Sequence, residues 1–270
     1  DNPRLESELL LAGAAYCFIR PFELNALANR LVLISDWSEN TTFKSQEKAD
    51  SDLEIIISDI MQILDTRIFG TTEEDIRKGA EILRDGGLVA FPTETVYGLG
   101  ANGMDAEAAG KVYAAKGRPS DNPMILHIAD RKDLGCLTDK VTADMETLMD
   151  AFWPGPMTMV VEALPQVPRV TTGGLDTVAV RMPDHPVALA LISESGVPIA
   201  APSANASGRP SPTSGQHVLD DLNGRIHAVV MGDNCQIGIE STVIDMTGEM
   251  PMILRPGKLT AEDFEKAMDI

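Results

Sequence analysis

Two cations separated by one glycine, Lys116 and Arg118, stand where a predicted helix gives way to a loop that contains two prolines. A guanidinium offers a planar fork to phosphate oxygens, an ammonium acts as a point charge, and Gly117 lets a ligand approach the backbone. Cations at a helix C-terminus also oppose the helix macrodipole, which is the simpler interpretation of an isolated pair. His127, on the next predicted strand, could face the same ligand, although a histidine alone on a strand is more often structural. An anionic ligand is the first chemical hypothesis.

Small polar residues cluster at the ends of further predicted strands. They occur in segments 174–181, 200–211, 238–245 and 253–257. Short hydroxyl and amide groups present rigid hydrogen-bonding atoms to a ligand, but the same residues also punctuate turns for conformational reasons. Taken singly, Glu240 is equally consistent with a solvated carboxylate and with a binding residue. Arg255 is equally consistent with a surface cation and with a binding residue.

The elements that must position these residues follow a mixed α/β pattern. Residues 71–75 form a helix N-terminal signal, and Gly86 and Gly87 end that helix. Further helices are predicted at 106–116, 142–152, 186–194 and 214–222. Strands are predicted at 88–91, 124–128, 158–162, 177–181, 199–201, 228–231, 241–244 and 252–254. Residues 92–100 are predicted to form a glycine-punctuated loop.

Composition excludes several classes of protein. The net charge of −19 argues against broad wrapping of nucleic acid, which requires clustered cations. There is neither an apolar run of about 18 residues nor a leader-like start, so we expect a cytoplasmic protein without a membrane segment. Three scattered cysteines and four scattered histidines lack ligand spacing, so no dedicated metal site is expected.

The first 60 residues differ in composition from the rest. Residues 13–33 resemble the last strand and helix of a bacterial receiver domain, with Arg20 and Pro21 where a Lys-Pro pair is usual. The polar stretch 35–52 is typical of a linker. We therefore predict an appendage at 1–60, without a phosphorelay role, and one domain at 61–270.

Seven motifs, in order and spacing, resemble the YrdC-like threonylcarbamoyl-AMP synthase family over about residues 61–268. They are FPTETVYGL (91–99), KGRP (116–119), WPGPMT (153–158), DTVAVRMP (176–183), APSAN (201–205), EST (240–242) and LRPG (254–257). The resemblance implies a twisted, open mixed α/β sheet with flanking helices and a concave basic cavity. Such a cavity would be a local positive field within an acidic molecule.

The resemblance also assigns residues to two substrates. Those implied for L-threonine are Thr95, His127, Thr177, Arg181 and Ser241. Those implied for ATP are Lys116, Arg118, Asn122, Ala201, Ser203, Ser211 and Arg255. Lys116 and Arg118 are the implied catalytic residues, and Arg181 is suited to bind a carboxylate in bidentate fashion.

The implied reaction joins L-threonine, bicarbonate or CO2 and ATP into threonylcarbamoyl-AMP and pyrophosphate, with Mg²⁺ assisting. The implied downstream partner is the machinery that modifies tRNA next to the anticodon, with weak RNA binding also compatible. Two alternatives stay open: an RNA-binding or regulatory module without catalysis, and a carbamoyl-adenylating module of hydrogenase maturation.

Overall fold

The computed structural model describes residues 65–269, and all structural statements below concern that part of the chain. The predicted appendage at 1–60, including its receiver-like segment and linker, lies outside the described residues. Within the described residues, no helix is long and apolar enough to cross a membrane.

The described residues contain ten strands. They are β1 (Arg67–Phe69), β2 (Val89–Phe91), β3 (Gly98–Asn102), β4 (Ile125–His127), β5 (Met157–Glu162), β6 (Thr177–Arg181), β7 (Ile199–Ala200), β8 (Ala228–Val230), β9 (Thr242–Asp245) and β10 (Met252–Arg255). They form a single mixed sheet in the order β1-β8-β2-β3-β7-β4-β6-β5-β9-β10. The helices are α1 (Glu73–Arg84), α2 (Ala106–Lys116), α3 (Ala143–Phe152), α4 (Pro186–Ser195), α5 (Gly215–Leu222) and α6 (Ala261–Met268). A 3₁₀ helix spans Arg131–Cys136.

Local capping explains where the two N-terminal helices begin and end. The Thr72 side chain accepts a hydrogen bond from the backbone N–H of Asp75 at the start of α1. At the start of α2, Asp105 caps the backbone N–H groups of Glu107 and Ala108. Gly117 ends α2 with a φ of 62°, a left-handed conformation that glycine adopts without steric cost. The predicted bounds of α2 are therefore confirmed.

The prediction of a loop throughout 92–100 is wrong at its end, because β3 begins at Gly98. This strand pairs antiparallel with both β2 and β7. A Cβ on Gly100 would lie 2.8 Å from the Phe91 side chain and 2.9 Å from that of Ile199. Close packing therefore requires glycine at position 100. The low strand propensity of glycine is what led to the prediction of a loop. Strand β1, helix α6 and the 3₁₀ helix were not predicted either.

Two clusters of buried side chains lie on opposite faces of the sheet. Along β2, Ala90 belongs to the larger cluster, whereas Val89 and Phe91 belong to the smaller one, which α1 and α4 cover. Successive strand residues point to opposite faces. On β4 and β6, Leu126 and Val180 therefore pack in the larger core, and their neighbours face a cavity.

Candidate active site

The floor of the cavity is built from two cross-strand rows. In the first row, His127 pairs with Arg181, which pairs in turn with Thr158. The second row runs from Ile125 through Ala179 and Val160 to Asp245, and all four residues line the cavity. The cavity has a volume of about 520 Å³. That volume lies within the usual range for small-molecule sites.

All five side chains that the family resemblance assigns to L-threonine line this cavity. They are Thr95, His127, Thr177, Arg181 and Ser241. They come from the exit of β2, from β4, from β6 and from the start of β9, so the fold collects residues that are far apart in the chain. Asp245 and Glu240 also line the cavity but were not assigned to either substrate.

Arg181 is held rigidly by three protein acceptors. Its Nε donates to the carbonyl of Gly155 at 3.2 Å, Nη1 to the Thr95 hydroxyl at 2.9 Å and Nη2 to Glu94 Oε1 at 2.6 Å. Arg181 is 4% exposed and Glu94 6% exposed, so this is a buried ion pair. One N–H remains free of these bonds on each terminal nitrogen, enough for a bidentate carboxylate contact.

Sequence reasoning missed Glu94, although it stands inside the first quoted motif. A carboxylate between two threonines at the exit of a buried strand was the available signal. Its second oxygen, Oε2, is buried without a hydrogen-bond partner among the described residues. The charge of Arg181 is therefore compensated within the protein.

Arg118 and Arg255 are two further cations of the cavity. Both line the cavity, and neither has a carboxylate within ion-pair distance among residues 65–269. Arg118 donates to the carbonyls of Asn122 and Pro123, and Arg255 donates to the carbonyl and hydroxyl oxygens of Ser241. Burial lowers the pKa of both guanidinium groups below the ordinary arginine value. Two cations oriented by neutral oxygens are suited to bind phosphate.

Lys116 is placed differently from its predicted role in the phosphate cluster. It is buried and is not among the residues that line the cavity. Its Nζ donates to the carbonyl of Ser203 and, at 2.6 Å, to that of Asn205. Burial, followed by the charge of Arg118, lowers the pKa of Lys116 to about 8. The ammonium thus fixes the backbone of the segment that carries Ser203 into the cavity wall.

The other residues assigned to ATP divide between the cavity and its surroundings. Asn122, Ala201 and Ser203 line it beside Arg118 and Arg255. Ser211 is not part of the lining; its hydroxyl donates to Oε1 of the lining residue Glu240 at 2.5 Å. That hydrogen bond lowers the pKa of Glu240, so the carboxylate stays ionised.

His127 is a neutral imidazole at physiological pH. Burial, followed by the charge of Arg181, lowers its pKa to about 3. Its Nδ1 has no hydrogen-bond partner among the described residues, and its ring contacts Phe91 edge to face with a centroid separation of 6.4 Å. An imidazole with so low a pKa is a weak base, so this geometry favours a binding role over proton abstraction.

Comparison with known proteins supplies an independent reference for this site. The family model Sua5_yciO_yrdC, described as Telomere recombination, matches residues 81–257. The chain is 55% identical over 196 residues to threonylcarbamoyl-AMP synthase of Pyrococcus abyssi, which covers 73% of this chain and 58% of the relative. It is also 55% identical over 197 residues to threonylcarbamoyl-AMP synthase of Bacillus subtilis, which covers 72% of this chain and 57% of that relative.

A solved structure of one of these relatives has the same fold as the described residues. Sua5 of P. abyssi complexed with L-threonine superimposes with a TM-score of 0.74 and 53% sequence identity. The match covers 75% of this chain and 61% of the solved one. The chain therefore spans about six tenths of the length of these relatives.

Proposed function

Because the chain belongs to the Sua5/YciO/YrdC family, we propose that it forms threonylcarbamoyl-AMP and pyrophosphate from L-threonine, bicarbonate and ATP. One observation carries this proposal: a single cavity contains every side chain assigned to L-threonine together with five of the seven assigned to ATP. The relatives named threonylcarbamoyl-AMP synthase support the same activity.

The chemistry requires two anions to meet. The amine of L-threonine forms an N–C bond to CO2 with loss of a proton, or to bicarbonate with loss of water, and gives a carbamate. A carbamate oxygen then attacks the α-phosphorus of ATP while the bond from that phosphorus to pyrophosphate breaks. No covalent enzyme intermediate is needed, so the residues act by positioning and by electrostatic stabilisation. Arg118 and Arg255, which lack a carboxylate partner in the described structure, are placed to neutralise phosphate charge. Arg181, already compensated by Glu94, can orient an amino-acid carboxylate without adding a large net charge.

Mg²⁺ would enter with ATP. The cation prefers oxygen ligands and is usually held by one or two carboxylates together with phosphates and waters. Glu240 and Asp245 are carboxylates in the cavity wall and fit that donor chemistry. When bound, Mg²⁺ would offset charge on the phosphate oxygens.

The product is a mixed anhydride, which is suited to transfer onto a nucleophile. We propose that the transfer machinery for tRNA next to the anticodon consumes it in the cytoplasm. We also propose that residues 61–270 form the synthase domain, and that deleting 1–60 leaves its turnover unchanged. A large loss of turnover in the deleted chain would instead assign those residues to the working enzyme.

Pyrophosphate release from ATP tests the activity directly. Release by the purified chain should require both L-threonine and bicarbonate. Arg118→Ala should lower kcat/KM by about 10- to 100-fold, the size of a lost charge-assisted contact. Arg77→Ala is the matched control, because Arg77 is an exposed arginine on α1 that pairs with Glu81 outside the cavity. Tight RNA binding without pyrophosphate release would favour the RNA-binding module instead.

A further inference from the structure

The WPGPMT motif (153–158) contacts two of the residues assigned to L-threonine, Arg181 and Ser241. Its Gly155 carbonyl accepts from Arg181 Nε. Its last residue, Thr158, is fully buried on β5, between Arg181 of β6 and Val243 of β9. The Thr158 hydroxyl lies 2.7 Å from the hydroxyl of Ser241. The motif therefore reaches the amino-acid side of the site at two points.

The direction of the hydrogen bond between these two hydroxyls follows from their surroundings. A hydroxyl donates one proton and accepts up to two hydrogen bonds. Among the described residues, Ser241 is the only hydrogen-bond partner of the Thr158 hydroxyl. In either direction, one of the two hydroxyl protons has no acceptor among the described residues, and an unpaired buried donor carries a desolvation cost. Ser241 lines the cavity and Thr158 does not, so only the proton of Ser241 can be paired by a bound ligand. We therefore assign Thr158 as the donor.

That direction determines what Ser241 can offer to a ligand. Arg255 Nη2 donates to the same Ser241 hydroxyl at 3.1 Å. With hydrogen bonds accepted from Thr158 and Arg255, both acceptor positions of Ser241 are occupied. Its own proton has no acceptor among residues 65–269, and Ser241 lines the cavity. Ser241 thus presents a donor to the cavity, which suits an anionic oxygen.

We propose that Thr158 is a positioning residue, which orients Ser241 to donate to a carboxylate or carbamate oxygen of the amino-acid substrate. This inference rests on the proposed function. Arg255 contacts the same hydroxyl, so one serine connects the amino-acid and nucleotide sides of the cavity. The β-branched side chain of threonine restricts χ1, which keeps the donor in place better than a serine would.

Replacement of the hydroxyl alone tests the proposal. Thr158→Val keeps the shape and the β-branch and removes the donor. The KM and the dissociation constant for L-threonine should rise about 10-fold, the size of one lost hydrogen bond. The KM for ATP should change less than threefold, because Arg255 retains its bonds to the Ser241 carbonyl. Thr158→Ser should recover most of the affinity.

Two controls separate positioning from simple loss of packing. Thr66→Val removes another buried hydroxyl, which donates to the carbonyl of Ile226 at 2.8 Å and does not line the cavity. It should lower the melting temperature without changing the affinity for L-threonine. In a Ser241→Ala background, Thr158→Val should have little further effect, because the group through which it acts is gone.

The outcomes distinguish this proposal from the proposed function. Calorimetric titration with L-threonine needs no turnover, so it tests Thr158 even in an inactive chain. Parental affinity in Thr158→Val, or an equal loss in the Ser241→Ala background, overturns the positioning role alone. A parent chain that binds no L-threonine overturns both proposals. If Thr158→Val does not fold, Thr158→Cys, with its weak thiol donor, carries the same expectation.

Discussion

Removal of Glu94 should destabilise the fold far more than removal of an exposed carboxylate. In Glu94→Ala, Arg181 would stay buried without its counterion, at 4% exposure. Removing one partner of a buried ion pair typically costs about 3–5 kcal/mol of unfolding free energy. That is a large share of the total stability of about 5–15 kcal/mol that most proteins have.

A matched control is available in α1. Glu81 pairs with Arg77 at 2.6 Å, the same distance as in the buried pair, but these side chains are 46% and 56% exposed. Solvent screens such a pair, so Glu81→Ala should cost no more than about 0.5 kcal/mol. Glu94→Gln, which keeps an acceptor for Arg181 but removes the charge, should fall between the two alanine variants.

Urea unfolding at neutral pH measures the difference. With a slope of about 1–3 kcal/mol per molar urea, Glu94→Ala should lower the unfolding midpoint by about 1 M or more. Glu81→Ala should leave the midpoint close to that of the parent. Equal midpoints for the two variants would refute the reasoning, because they would show that burial does not make the Glu94–Arg181 pair essential.

Three further predictions follow from single positions. Burial holds the pKa of His127 at about 3 against an ordinary 6.5, so only the unfolded chain binds this proton between those values. As the pH falls through that range, protonation of His127 in the unfolded chain should lower the free energy of unfolding by about 1.4 kcal/mol per pH unit. His127→Gln removes this contribution, so its free energy of unfolding, measured with urea, should depend less on pH. Gly100→Ala should cost about 1–3 kcal/mol of stability through clashes with neighbouring strands, whereas Gly110→Ala, with open space inside α2, should stabilise by about 0.5–1 kcal/mol. Lys116→Met should raise the KM for ATP at least about 10-fold by releasing the carbonyls beside Ser203, with little change in L-threonine affinity.

Each of these has a result that would contradict it. An unchanged pH slope in His127→Gln would mean that the imidazole titrates normally in the fold. A neutral Gly100→Ala in thermal unfolding would show that β3 can move away from Phe91. If Lys116→Met lost affinity for both substrates equally, the lysine would be supporting the whole cavity rather than one segment of its wall.

Local chemistry made much of the fold predictable from sequence. Helix α2 begins at a capping aspartate and ends at a left-handed glycine, and both signals lie within a few residues of the bonds they control. The observed bounds of the other predicted helices and strands lie within one or two residues of prediction. Strand β3 was missed because its glycines serve contacts with Phe91 and Ile199, which no local pattern shows.

The sequence by itself determined the types of group available to the site, and the resemblance of its motifs to a known family divided them into a threonine side and an ATP side. Only the tertiary structure decided what each group faces. It paired Arg181 with Glu94, turned Lys116 toward backbone carbonyls and placed the Thr158 hydroxyl against Ser241. These partners are 83 to 89 residues apart in the chain. Charge compensation and hydrogen-bond direction depend on distances of about 3 Å, which arise only when separate strands pack together.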